Sequence, residues 1–91
     1  MLSVEWSPDA LQDLFDIVSY IEQRNTVAAH SLRETIVQAV EKLPTMPIAF
    51  RPGRVPGTRE CVVHPNYIVV YRVLAETIEI AGVLHARQQY P

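Results

Sequence analysis

Apolar positions change period along the chain. Residues 2–6 (LSVEW) alternate apolar and polar side chains, the pattern of a short half-buried strand. Ser7-Pro8-Asp9 then reads as a helix start. The serine hydroxyl can accept a free backbone N–H, proline suits the first helical position, and the aspartate complements the positive end of the helix. Leu11, Leu14, Phe15, Val18 and Ile21 follow at helical spacing, which predicts an amphipathic helix of about fifteen residues, ended by Arg24-Asn25-Thr26. Ala29, Leu32, Ile36, Ala39 or Val40, and Leu43 predict a second helix from about residue 27 to 43, stopped by Pro44 and Pro47. The short connection makes the two helices an antiparallel pair.

Residues 44–57 hold four prolines and two glycines and read as a stiff loop. Beyond them the period is two. Residues 58–64, 67–74 and 77–85 are strand-like, separated by Pro65-Asn66 and Ala75-Glu76 as two-residue turns. The element order is β-α-α-β-β-β. The expected fold is an α+β domain spanning residues 1–91, with a two-helix hairpin on one face of a small antiparallel sheet.

Two-residue hairpins also imply a register: 72 opposite 79, 68 opposite 83, 64 opposite 67 and 59 opposite 72. One face then collects Tyr67, Val69, Tyr71, Val73, Ile78, Ile80, Gly82 and Leu84, and is expected under the helices. The other collects Arg59, Cys61, Val63, Ile68, Val70, Arg72, Glu79, Ala81, Val83 and His85. Its apolar centre, formed by Val63, Ile68, Val70, Ala81 and Val83, is the expected partner-facing surface. Arg72 and Glu79 fall opposite each other as a cross-strand ion pair, with Arg59 beside them. His85 falls at the other end, with Arg87 just beyond. Trp6 and Phe15 are expected in the core, His30 on a helix surface and His64 at a strand end.

Composition narrows the class. The chain is 48% hydrophobic and 20% charged, which is globular rather than disordered. The net charge of −2 is unevenly spread. Residues 1–46 carry seven acids against three bases. Residues 47–91 carry three acids against five bases, all arginine, the residue suited to fixed bidentate contacts. An acidic chain argues against tight non-specific binding along a nucleic-acid backbone. One cysteine, Cys61, excludes an internal disulfide and a cysteine metal cage, and no metal or cofactor is expected. No stretch approaches a membrane span, and the N-terminus lacks the basic region and apolar run of a signal peptide; the cytoplasm is the expected location.

Five blocks occur in a telling order: Val4-Glu5-Trp6-Ser7-Pro8, Gly53-Arg54, Gly57-Thr58-Arg59-Glu60, Tyr67-Ile68-Val69-Val70-Tyr71-Arg72, and Val83-Leu84-His85-Ala86-Arg87. In this order and length the chain resembles the ParE branch of the RelE/ParE toxins of bacterial type II toxin–antitoxin pairs. The resemblance implies a growth-inhibiting toxin, neutralised by a cognate antitoxin whose disordered tail folds on the toxin surface, in a toxin–antitoxin hetero-oligomer or a homodimer.

Two targets follow from the two branches. RelE-like toxins cut messenger RNA on the ribosome without a metal, which needs a base, an acid and cations at the phosphate. Here His85, Arg87 and Tyr90 are the candidate catalytic residues. Those nucleases carry an arginine where this chain has Ile68, and lysines or a glutamate on the preceding strand, where it has Cys61 and Val63. ParE-like toxins lack that set, and several hold DNA gyrase on cleaved DNA. The departures favour this branch, with Arg54, Arg59, Arg72, His85, Arg87 and Tyr90 as contact groups. A non-toxic or decayed interaction module is the third reading.

Overall fold

The computed structural model describes residues 2–90. Strand β1 (Ser3–Trp6) leads into helix α1 (Pro8–Glu22), then α2 (Thr26–Glu41) and a single 3-10 turn, Leu43–Thr45. Strands β2 (Arg51–Pro52), β3 (Arg59–His64), β4 (Tyr67–Val73) and β5 (Thr77–His85) complete the order. The Ser7 hydroxyl accepts the Ala10 N–H at 3.1 Å with Pro8 at the first helical position, as the sequence predicts. Asn25, read only as part of a helix break, caps α2 through the Ala28 N–H at 3.0 Å.

The two helices pack on one face of a five-stranded sheet of order β1-β5-β4-β3-β2. The α+β class and the helical hairpin agree with the sequence, but the sheet is mixed. β1 lies parallel to β5, with Ser3 opposite Thr77 and Trp6 opposite Ile80. Alternation within a strand records which residues are buried, not the direction of a neighbour nearly eighty residues away, so this pairing was not legible. The two-residue β2 inside the proline-rich loop was also missed.

Of the expected pairs, Arg72–Glu79 and His64–Tyr67 hold, while 68 opposite 83 and 59 opposite 72 fail, because each hairpin contains a bulge. In β5, Tyr71 faces Ile80 while Val70 faces Gly82, so Ala81 is the extra residue and Ile68 pairs with Leu84 rather than Val83. In β3 a shift between Val62 and His64 places Arg59 opposite Tyr71 rather than Arg72. One inserted residue moves every later side chain to the opposite face. The core under the helices therefore contains Ala10, Leu14, Leu32, Ile36, Val40, Leu43, Cys61, Val69, Tyr71, Ile78, Ile80 and Val83, with Trp6, Val63 and Tyr67 packed against it.

This corrects the expected faces. Cys61, Val63 and Val83 lie on the helix side, not on the partner-facing surface. Gly82 and Leu84 pair across from Val70 and Ile68 on the far face. Phe15 is 65% exposed, so it is not core; α1 turns Ala10 and Leu14 inward instead. Leu11, 52% exposed, also lies outside the core, so the expected stripe is too wide by two residues, which periodicity alone does not resolve. Trp6 is half-buried against the core, as expected. No helix among the described residues is long and apolar enough to cross a membrane.

Candidate functional site

The far face of the sheet is covered by two irregular segments, the loop at 53–58 and the C-terminal tail beyond His85. The loop has a tight internal geometry. The Gly53 N–H donates to the Thr58 carbonyl at 2.8 Å, and the Thr58 hydroxyl donates to the Val55 carbonyl at 2.6 Å. A Cβ at position 53 would run into the Thr58 hydroxyl, so Gly53 is required by that close approach, and Gly57, at φ +84°, by its backbone. This turn aims the Arg54 N–H at the carboxylate of Glu60 on β3, 3.3 Å away.

Glu60 is 3% exposed and gathers the cations of the face. Arg51 donates twice to Oε1, from Nε at 3.1 Å and from Nη2 at 2.9 Å. The Arg54 guanidinium stands 3.7 Å from Oε2, which also accepts the Tyr90 hydroxyl. Burial acts to raise the Glu60 carboxyl, but the Tyr90 hydroxyl, the Arg54 N–H and Arg51 together outweigh it and hold the group below the ordinary glutamate range. Tyr90 shifts the other way: burial first, then its bond to Glu60 and the adjacent negative charge, push the phenol up. The Arg54 guanidinium lies 4.5 Å from the centre of the Tyr90 ring and donates to the Gln88 carbonyl at 3.2 Å.

At one end of the sheet three rings stand in a row across β3, β4 and β5. Tyr67 is 5.7 Å from His64 and 5.5 Å from His85, the latter edge-on. Both histidines use Nδ1 as an acceptor for the N–H two residues on, Asn66 at 3.1 Å and Arg87 at 3.2 Å. The Ala86 N–H donates to the Asn66 carbonyl at 2.7 Å, which starts the tail across the sheet end.

The remaining arginines are separately engaged. Arg72 donates to Glu79 at 3.2 Å, the cross-strand pair expected from the sequence. Arg59 does not join them; it donates to the carbonyls of Phe50 at 2.8 Å and Ile48 at 3.4 Å, and so braces the loop after α2. Of the candidate contact residues, Arg54 and Tyr90 are brought together, His85 and Arg87 form a second group, and Arg59 and Arg72 stand apart. The expected partner-facing centre is not open: Ile68 and Val70 are buried, Val63 and Val83 face the helices, and Ala81 alone of the five is a half-exposed far-face bulge.

A cleft of about 370 Å³ runs between α1 and this face, bounded by Asp9, Asp13, Val55, Val70, Leu84 and Tyr90. Cys61 is buried and its thiol is pushed up by that burial, which leaves it unreactive. Two working residues escaped the sequence reading. Glu60 was noticed only inside a motif block, although one acid in an apolar strand downstream of Arg51 and Arg54 is the signature of a buried charge with partners. Asp13, which accepts the Val83 N–H at 3.0 Å, gave no signal beyond an ordinary helix-surface acid.

The geometry agrees with comparisons to known proteins. A family model described as the ParE toxin of the type II toxin–antitoxin system parDE matches residues 4–90. A candidate toxin of Sinorhizobium fredii, Y4kP, is 39% identical over 89 residues, covering 97% of this chain and 92% of the relative. Among solved structures, the chromosomal ParDE toxin–antitoxin system of P. aeruginosa superposes with a TM-score of 0.85 at 26% identity, covering 93% of this chain and 96% of that one. The toxin–antitoxin complex RelBE2 of Mycobacterium tuberculosis shares the fold, with a TM-score of 0.67 at 21% identity, over 92% of this chain and 96% of that one. The match along nearly the whole sequence, on a two-helix hairpin over a five-stranded sheet, makes this chain a member of the ParE toxin family of type II toxin–antitoxin systems.

Proposed function

We propose that this toxin acts by binding rather than by cutting RNA, that its target is DNA gyrase held on cleaved DNA, and that a cognate antitoxin neutralises it. The P. aeruginosa and M. tuberculosis structures are described as a toxin–antitoxin system and a toxin–antitoxin complex, which supports an antitoxin as the partner here.

The support for binding over catalysis is that the far-face cations are already committed. Arg51 and Arg54 are held by Glu60, and Arg72 by Glu79. A ribonuclease site needs cations free to stabilise the extra charge on a pentacoordinate phosphate. The sheet correction sharpens the comparison with the nuclease branch. Cys61 and Val63 face the core, so the residues turned outward on β3 are Glu60 and Val62, and Ile68 is buried on β4. None of these supplies positive charge. The three candidate catalytic groups also separate, since the Tyr90 hydroxyl is spent on Glu60 while His85 and Arg87 sit at the end of the sheet.

The discriminating experiment uses the purified toxin in two assays. In a gyrase reaction it is expected to increase the yield of cleaved DNA. On translating ribosomes it is expected to leave messenger RNA intact by primer extension. Codon-position cuts that disappear in His85→Ala would overturn this reading in favour of the RelE-like endoribonuclease.

A further inference from the structure

We propose that residues 86–90 form a reversible strap that closes over the far face of the sheet, with Tyr90 as its buckle and Glu60 as its catch. Six contacts hold it shut: the Ala86 N–H on the Asn66 carbonyl, the Gln88 N–H on the His85 carbonyl, the Tyr90 hydroxyl on Glu60, the Arg54 guanidinium over the Tyr90 ring, Arg54 on the Gln88 carbonyl, and the Arg87 N–H on Nδ1 of His85. Between Ala86 and Tyr90 the segment carries Arg87, Gln88 and Gln89, all exposed, so Tyr90 is its single large apolar anchor.

The geometry makes the strap able to open without disrupting what lies below. Removing Tyr90 from Glu60 does not strand a buried charge. Oε1 keeps both Arg51 bonds, and Oε2 keeps the Arg54 N–H and guanidinium. A buried carboxylate that loses its only partner is costly, whereas one that retains three donor groups is not. The sheet is equally independent of the tail, because β5 is fully paired with β4 through His85 opposite Tyr67 before the strap begins. Opening it would release Tyr90, free the backbone beside the already exposed Arg87 side chain, and widen the cleft along Val55, Val70, Leu84 and Asp9, of which Tyr90 now forms a wall. Tyrosine and arginine are the residue types that dominate binding hot spots, so the open strap is the form fitted to engage a partner. That consequence rests on the binding reading above; the existence of the strap does not.

Trypsin reads the strap directly, since the Arg87–Gln88 bond lies inside it. In Tyr90→Phe the ring stays and the bond to Glu60 is lost. In Arg54→Gln both side-chain contacts of Arg54 to the tail are lost while its backbone N–H remains. Each variant is expected to speed cleavage after Arg87 on the order of fivefold or more, the factor that the loss of one ordinary hydrogen bond corresponds to. Cleavage after Arg33, Arg59 and Arg72, which lie in helix and strand, should stay far slower than cleavage after Arg87 in both variants. A wild-type tail cut as fast as in both variants would overturn the proposal. So would cleavage after Arg87 no faster than at those sites in all three proteins, which would mean that the tail opens only with the whole domain. Failure of the gyrase assay for all three proteins would sink the binding reading and leave the trypsin result standing.

Discussion

The carboxylate of Asp13 on α1 accepts the backbone N–H of Val83 on β5 at 3.0 Å, a bond between residues seventy positions apart. It sits where β5 runs past the end of β1 and would otherwise show an unpaired edge. Ser7, the N-cap of α1, reaches two positions earlier, its hydroxyl donating to the Ala81 carbonyl at 3.3 Å. The helix thus supplies side chains where the neighbouring strand ends, and the bulge at Ala81 is held between them.

Asp13→Ala leaves the Val83 N–H without its partner. The expected loss is about 1–3 kcal/mol, the cost of an unsatisfied buried donor, read as a lower denaturation midpoint with unchanged slope. Asp13→Asn keeps an acceptor oxygen and should recover part of that loss. Gly82→Ala probes the same contact from the other side, since its Cβ would lie 3.2 Å from Asp13 Oδ2. A midpoint equal to wild type in Asp13→Ala would show that water replaces the carboxylate there.

These contacts mark the limit of what the sequence made legible. Helix starts, hairpin turns and strand positions were readable because each depends on neighbours within a few residues: Pro8 beside Ser7, or Asn66 after Pro65. The bulges were not, because nothing in Ala81 or Val63 announces an extra residue. Their consequence is large, moving Val83 and Leu84 to opposite faces and parting Arg59 from Arg72. The candidate site suffered most. Its arginines and Tyr90 were identified by type, but their pairing with Glu60 depends on a loop and a tail converging from opposite ends of the sheet.

The Arg72–Glu79 pair was expected from the sequence and found, yet it should matter little for stability. Both side chains are more than a third exposed, so solvent screens the interaction. A double-mutant cycle with Arg72→Ala and Glu79→Ala should give a coupling of about 0.2–1 kcal/mol, smaller still at high salt. A coupling well above that range would place the pair in a drier setting than its exposure indicates.

Glu60 predicts a pH dependence with a definite sign. Its folded pKa is depressed below the unfolded value, so the unfolded chain binds this proton more readily. The stability it contributes is present above the unfolded value, about 4.3 for glutamate, and is lost as pH falls from there through the lower folded value. Denaturation curves between neutral pH and pH 3 should therefore fall more steeply for the wild type than for Glu60→Gln, which is less stable at neutral pH and carries no proton to bind. Parallel curves for the two proteins would mean that Glu60 does not titrate differently on folding.

The last prediction separates the structural part of the tail from its contact part. Sequence alone places the whole tail outside the sheet and implies that deleting residues 86–91 spares stability. The contacts of Tyr90 argue otherwise. Deletion removes the hydroxyl from Glu60 and uncovers the cleft wall beside Val70 and Leu84. Glu60 keeps Arg51 and Arg54, so the loss is that of one ordinary hydrogen bond, about 1 kcal/mol, which in a domain of this size lowers Tm on the order of 5 °C. The core stays intact, since none of its residues lies beyond Val83. Arg87→Ala should behave differently. Its side chain is exposed and only its backbone N–H is used, to cap His85, so Tm should stay within about a degree of wild type, the usual outcome of a surface substitution. If the toxin works by contact, Arg87→Ala should still reduce trapping of cleaved DNA by gyrase. Melting curves and the gyrase assay on the two variants and the full chain make the comparison. Full trapping by Arg87→Ala would remove this arginine from the interface, and a truncated chain that melts like the wild type would show that Tyr90 contributes nothing to the fold.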